Sequence, residues 1–274
     1  MRSAARPWGE RMITVRSLHV YPVKSAAGIA LRKAEVGDRG FRGDRRFMVV
    51  DAVGQFLTQR AFPRMALVAV AASDASVQLA APGMPTLEVP VPPADGPSRS
   101  VQVWRDRCDA VSLGSGPARW WTELLGVACE LVYMPDSTVR PVDPSHGPGR
   151  VGFADGYPFL LTSTASLDEL SRRGASVPME RFRPNIVVEG SLPFEEDGWR
   201  RIRVGRIEFR VVKPCARRAI TTVDPARGAF AGPEPLRTLA EFRKSADGVL
   251  FGMNLVHEDG GLVSVGDEVT VLAR

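Results

Sequence analysis

Cysteine and histidine are scarce in this 274-residue chain, three of each, and neither is spaced to crosslink or to grip a metal. Cys108, Cys129 and Cys215 show no paired spacing, which excludes a disulfide framework and a zinc finger and falls short of a four-cysteine iron–sulfur cluster. His19, His146 and His257 lack metal-ligand spacing, so a zinc hydrolase built on them is not expected and His19 reads as a plain strand residue. No apolar run approaches the roughly 20 residues of a membrane span. The longest is about Met65 to Ala72. The N-terminus has arginines but no apolar stretch after them, which argues against a secretory signal. A reducing, cytoplasmic location and no membrane partner are therefore expected. Also missing are a Gly-x-Ser-x-Gly elbow, a Walker-type loop and a dinucleotide fingerprint, so serine hydrolases, nucleoside triphosphatases and direct use of NADH are not expected. Binding of pyridoxal phosphate is not expected either.

Lysine is rare too: Lys24, Lys33, Lys213 and Lys244 stand against 32 arginines. Codon bias is the simplest cause, yet two of the four fall in the candidate motifs below, as though a compact ammonium were wanted there. The net charge of +5 is spread along the chain and forms no stripe, and no nucleic-acid-binding signature accompanies it. It fits solubility or docking of an acidic partner, and nucleic acid is not an expected partner.

What the chain does have is 22 Pro and 26 Gly between short, Val-rich apolar runs, the pattern of many short strands joined by turns. Strands are expected from Ile13 to Val23, Arg46 to Asp51, Leu67 to Ala72, Val77 to Ala81, Leu87 to Val91, Val101 to Trp104 and Ala110 to Leu113. In the second half they are expected at Asn185 to Val188, Arg201 to Val204, Ile207 to Val212, Ala219 to Val223, Val249 to Val256, Leu262 to Val263 and Glu268 to Leu272. Helices are expected at Pro117 to Leu125, Leu167 to Arg173 and about Pro235 to Ser245, the second opened by a Ser166/Glu169 capping box. Trp120 and Trp121 share a helix face and read as core. Asp136 to Arg150, rich in Pro, Ser, Gly and Asp, reads as a linker. The organisation expected is an extension or disordered segment over 1–12, one domain over 13–135 and another over 136–274. The fold class is mainly β with peripheral helices, in two intertwined β-barrel-like domains.

The chemistry concentrates in Lys213-Pro214-Cys215-Ala216-Arg217-Arg218. Proline fixes the backbone and removes a donor before the sulfur, and three cations favour a thiolate able to bind a soft metal or act as nucleophile. An isolated cysteine is more often a small buried hydrophobe. This one has unusual neighbours.

That segment resembles the cysteine loop of the MOSC proteins, the family of the molybdenum cofactor sulfurase C-terminal domain. Five more segments resemble the family in its own order: Tyr21-Pro22-Val23-Lys24-Ser25, Gly43-Asp44-Arg45-Arg46-Phe47-Met48-Val49-Val50, Phe153 to Thr162, Arg181-Phe182-Arg183-Pro184-Asn185 and Phe251-Gly252-Met253-Asn254-Leu255. The resemblance runs from about residue 13 onward. It is nearest to the branch with YcbX-type proteins and the mitochondrial amidoxime-reducing component. It implies a molybdenum cofactor (molybdopterin with Mo), with Cys215 as metal ligand and catalytic residue. Lys24, Ser25, Arg46, Thr162, Ser163, Arg183 and Asn185 match cofactor-contacting positions. Read as residues alone, Lys24 and Arg46 are solvated strand ends, Thr162 and Ser163 a helix cap, and Arg183 and Asn185 loop anchors. Asp155 reads equally as a turn residue or a proton carrier. The implied function is a molybdenum-dependent oxidoreductase that reduces small N-hydroxylated substrates, such as amidoximes or hydroxylamines. The alternative is a cofactor or sulfur carrier. With too few cysteines for a cluster, the electrons are expected from a separate carrier, a ferredoxin-like or haem protein.

Overall fold

The computed structural model describes residues 11–274. Most of the 1–12 segment thus lies outside the described residues. The largest sheet runs in the order Ile29–Leu31, Thr14–Val20, Ile186–Glu189, Phe159–Ser163, Gly248–His257, Ile207–Arg217, Arg201–Val204 and Val269–Ala273, with Lys244–Ser245 added beside Gly248–His257. Its far edge returns to the first strand: Thr14 bridges Glu268, Val15 N–H donates to Asp267 O at 2.9 Å, and Val269 N–H to Ile13 O at 2.8 Å. The sheet closes on itself as a barrel, which removes exposed edges. Alternate residues point inward, and Val15, Leu18, Phe159, Leu161, Ile202 and Phe209 meet in its core.

The N-terminal strand is thus a stave of the barrel formed by the second half. A smaller sheet repeats the interleaving, pairing Gly261–Ser264 with Lys33–Gly37, which in turn pairs with Gly40–Phe41. The rest of the first half holds a four-stranded sheet, Phe47–Asp51, Cys129–Tyr133, Asp106–Ser112 and Ser98–Val103, and a meander of Ala69–Ala72, Ser76–Ala80 and Leu87–Pro90. Helix α1 (Ser115–Leu125) buries Trp120, Trp121 and Leu124 in the core between them, and Gly126, at φ 72°, ends it with a backbone bond to Thr122.

Several boundaries differ from expectation for local reasons. Helix α2 (Thr164–Arg172) starts three residues early because Ser163, not Ser166, is its cap: the Ser163 hydroxyl accepts from Ser166 N–H at 3.1 Å. Helix α3 (Leu236–Phe242) stops early because Lys244–Ser245 turns back to pair with Gly248 and Val249. Ala219–Thr222 is a 3-10 turn where a strand was expected, since the Thr221 and Thr222 hydroxyls donate to the carbonyls of Arg218 and Ala219. The Asp136 to Arg150 segment is no slack linker. Arg140 is buried in it and donates to Gly152 O, Ala154 O and Asp106. Among the described residues no helix is long and apolar enough to cross a membrane.

Candidate functional site

The strand Ile207–Arg217 alternates buried and half-buried residues as far as Val211, then outruns its neighbour Arg201–Val204. Beyond that point it pairs only with Gly248–His257, which is where a proline without a donor is tolerated. The register slips between Pro214 and Ala216, where the single residue Cys215 stands opposite two, Phe251 and Gly252, which form a bulge in the partner strand. Gly252 is required there: its φ is 79°, and a Cβ would sit 2.7 Å from Leu161 O. Asn254 Nδ2 donates to both Lys213 O and Pro214 O at 3.4 Å, fixing the strand before the bulge. Cys215 therefore sits in a pinned strand, not in a loop, half-buried at the barrel's rim.

Its sulfur opens on a cavity of about 350 Å³ between the two halves of the chain. The cavity wall carries Lys24, Arg45, Arg60, Arg183, Lys213, Arg217 and Arg218 against one carboxylate, Asp155. Arg217 Nη1 lies 3.0 Å from Cys215 Sγ, its Nη2 donates to Phe182 O at 2.6 Å, and its buried Nε has no partner. Beneath the cavity, Tyr21 has the Arg45 and Arg183 guanidiniums each 4.3 Å from its ring centre. Burial pushes the Tyr21 hydroxyl up to about 12 and the Arg183 guanidinium down to about 10. Arg45 is held by the buried Asp44 at 2.5 Å and by Asn185 Oδ1 at 3.0 Å. Ser25, Arg45, Trp104 and Arg183 all have φ between 45° and 69°, so four of the five positive-φ non-glycine residues among those described line this cavity. Such backbone costs about 1–3 kcal/mol per residue and persists where the surroundings enforce it.

Lys24 Nζ donates to Asp155 Oδ1 at 2.5 Å and to Phe153 O at 2.8 Å. Burial pulls the Lys24 pKa down, only partly opposed by Asp155. Desolvation acts to raise Asp155, but the Lys24 ammonium bonded to it holds it far below the usual carboxylate range. Asp155 is thus held as a carboxylate, which speaks against its reading as a proton donor, and it sits in a bend of the chain.

Of the residues named from sequence, Lys24, Ser25, Arg183, Asn185 and Cys215 line one cavity. Both ends of the Asn185 amide are engaged, its Nδ2 with His19 O and its Oδ1 with Leu160 N and Arg45, so it braces the wall. Arg46 points elsewhere, donating to Met134 O and Asp136 and covering Tyr133. Thr162 and Ser163 are fully buried off the cavity; Thr162 meets Met179 Sδ, and Ser163 caps α2 beside Glu196. Arg45, Arg60, Trp104 and Tyr157 were not singled out. The adjacent arginines hinted at Arg45, but nothing local marked Arg60 or Trp104.

Among the described residues no group of three or more His, Cys, Asp or Glu could hold a metal ion. A metal at Cys215 would have to arrive with ligands of its own. One soft thiol, surplus cations and a partnerless buried guanidine nitrogen suit a metal carried on an anionic organic ligand.

Comparison with known proteins agrees in extent. Residues 12–128 match the MOSC N-terminal beta barrel domain and 148–270 the MOSC domain. Mitochondrial amidoxime-reducing component 1 of Mus musculus is 32% identical over 98% of this chain and 86% of its own length. Mitochondrial amidoxime reducing component 2 of Rattus norvegicus is 35% identical over 97% of this chain and 86% of its own. The molybdenum cofactor sulfurase of Danio rerio is 29% identical over 89% of this chain but only 32% of that longer protein. The chain, carrying both domains in that order and aligning with these relatives almost end to end, belongs to the family of MOSC proteins that includes the amidoxime-reducing components.

Proposed function

We propose that this protein is an oxidoreductase that holds a molybdenum cofactor on Cys215 and reduces small N-hydroxylated compounds with electrons from a separate carrier protein. The observation that carries the reading is a cysteine, held opposite a bulge in the neighbouring strand, on a cationic cavity that has no complete metal-ligand set among the described residues. The names of the relatives support the reaction class.

When bound, the cofactor supplies the two-electron chemistry of N–O bond reduction. Cys215 presents its sulfur from a strand pinned by Asn254, and Arg217 orients it. Ser25, Arg183, Lys213 and Arg217 would hold the phosphate and pterin rim through charge-assisted hydrogen bonds. Arg45 and Asn185 fix Arg183 from behind, Arg45 Nη2 donating to the Arg183 carbonyl. Phe182 and Tyr157 add apolar wall that limits water. Lys24 Nζ holds a proton loosened by burial and steadied by Asp155 Oδ1, which makes it the wall's proton source. A cytoplasmic setting belongs to the proposal; three free thiols support a reducing compartment, and the relatives named above are mitochondrial.

The test is the metal and pterin content of protein purified from a host that makes the cofactor, followed by turnover of benzamidoxime with a reduced viologen. Stoichiometric molybdenum and formation of benzamidine are expected, with no turnover on NADH alone. Cys215→Ser should abolish turnover while leaving the urea midpoint nearly unchanged, because the thiol stands at the barrel's rim and outside its core. Molybdenum bound without turnover on any donor would turn the reading to a cofactor carrier.

A further inference from the structure

The inner cavity leaves little room. At about 350 Å³ it lies near the lower end of small-molecule sites, roughly 300–1,000 Å³, and on the reading above the cofactor fills much of it. The body of a substrate must then lie outside, along whatever surface adjoins the mouth. The structure has such a surface, a second and larger concavity of about 910 Å³ that shares Thr58, Arg60, Trp104, Asp155 and Arg218 with the first.

Its build is unusual. Trp104 and Arg105 form the two-residue turn between Ser98–Val103 and Asp106–Ser112. Trp104 there adopts φ 58°, which glycine or asparagine takes more readily. The turn carries a bulky indole at that cost, braced by Gln102 Nε2 donating to Trp104 O at 2.8 Å. The indole reaches the mouth, where it and Asp155 line both concavities, and packs 5.3 Å from the Phe56 ring. Arg60 lies over it at 4.3 Å and Arg218 at 5.6 Å, so two guanidiniums from distant parts of the chain are gathered on one aromatic ring.

The charges around them are unbalanced. Two carboxylates border the groove, and both are engaged from behind: Asp106 accepts from Arg140 Nε at 2.8 Å and Asp155 from Lys24. Arg60, Arg105 and Arg218 form no ion pair among the described residues, and apart from the ring contacts the Arg60 guanidinium has one hydrogen bond, to the Thr58 hydroxyl at 3.3 Å. Guanidinium forks held on an aromatic face suit a flat carboxylate, and Trp104, Phe56 and Leu57 suit the ring that bears it.

We propose that this groove is a substrate subsite, selecting aryl N-hydroxylated compounds that carry a carboxylate away from the N–OH group, with Trp104 as the aromatic wall and Arg60, Arg105 and Arg218 as the anion clamp. The inference rests on the function proposed above for its placement of substrate, but its test reads binding and not turnover. Calorimetry without any electron donor compares 4-carboxybenzamidoxime with benzamidoxime on the cofactor-loaded protein. The carboxylated compound should bind roughly tenfold more tightly at low salt, the preference shrinking as salt rises. The double variant Arg60→Gln/Arg218→Gln should bring the two affinities together. Trp104→Gly suits the turn's φ, so the fold should persist by circular dichroism while both compounds bind more weakly. Equal affinities in the unaltered protein, no binding of either compound, a preference that survives the double variant, or unchanged binding to Trp104→Gly would each overturn the subsite. If the preference holds but no donor supports turnover, the subsite stands and the proposed reaction falls; turnover without the preference gives the reverse.

Discussion

Two buried polar clusters, one spanning both halves of the chain and one confined to the second half, were built to opposite ends. One joins Tyr21, Asp44, Arg45, Arg183 and Asn185 beneath the cavity. The other joins Ser163, Ser166 and Glu196 at the start of α2, where both hydroxyls meet the Glu196 carboxylate and Ser166 Oγ also accepts from Phe194 N–H. The second is closed: its donors and acceptors satisfy one another, and nothing in it faces a cavity. The first holds cations in excess, keeps two strained backbones, at Arg45 and Arg183, and leaves guanidinium surface open to a void. Burial and polarity alone do not separate structure from function here. Unbalanced charge beside open space does.

The clusters also differ in what part of the chain they need, which gives the largest expected effect. Tyr21, Asp44 and Arg45 come from the first half, and the barrel itself uses Thr14–Val20 as a stave. A fragment of residues 136–274 keeps the Ser163–Glu196 cluster whole but loses that strand and three of the five residues of the cavity cluster. It should show no cooperative urea transition. A sharp transition in the isolated fragment would mean that the halves are separable after all.

Next in size is Glu196→Ala, which strands two buried hydroxyls and should cost about 2–4 kcal/mol by urea unfolding. Glu196→Gln, which keeps an acceptor, should cost less. Burial, though opposed by the serine hydroxyls, raises the Glu196 pKa above its ordinary 4.5. The folded protein then retains a proton the unfolded chain would release, so stability falls as pH rises from about 4.5 through the raised value. Glu196→Gln should flatten that slope. A slope unchanged in the variant would assign it to another group.

How far the sequence disclosed this follows from what each signal depends on. Strand-rich architecture, the Trp120/Trp121 core helix and its Gly126 stop depend on local period and turn chemistry, and they were legible. Cys215, Lys24 and Ser25 were legible only through ordered motifs, since nearly two hundred residues separate them and only barrel closure joins them. The motif reading and the geometry part at Thr162 and Ser163, where polar residues before a helix fit a cap and a ligand site equally well until the Thr162 hydroxyl is seen to meet Met179 Sδ and that of Ser163 to meet Glu196. Trp104 was illegible because its meaning lies in a positive φ and in Arg60 and Arg218, none of which its neighbours in sequence reveal. The Asp136 to Arg150 segment misled through composition. Its prolines and glycines are real turns, but Arg140 nails them down.

The smallest expected effect is at Arg46, and it sharpens the comparison most finely because Arg45 stands beside it with the opposite role. Arg45 pairs with Asp44, a carboxylate 3% exposed, so removing the guanidinium leaves a buried charge without its cation. Arg46 pairs with Asp136, whose side chain is 85% exposed, and otherwise donates to a carbonyl. Exposed pairs contribute at most about 1 kcal/mol, whereas breaking a buried one costs about 3–5 kcal/mol. Arg46→Gln should therefore shift the urea midpoint little and leave molybdenum content at the unaltered level, because its side chain never reaches the cavity. Arg45→Gln should lose both stability and bound metal. The measurement is metal content per folded molecule in the two variants, prepared side by side. Loss of molybdenum from Arg46→Gln, with Arg45→Gln retaining it, would return the cofactor contact to the residue that the family motif first indicated and would place the guanidinium in a different orientation when the site is filled.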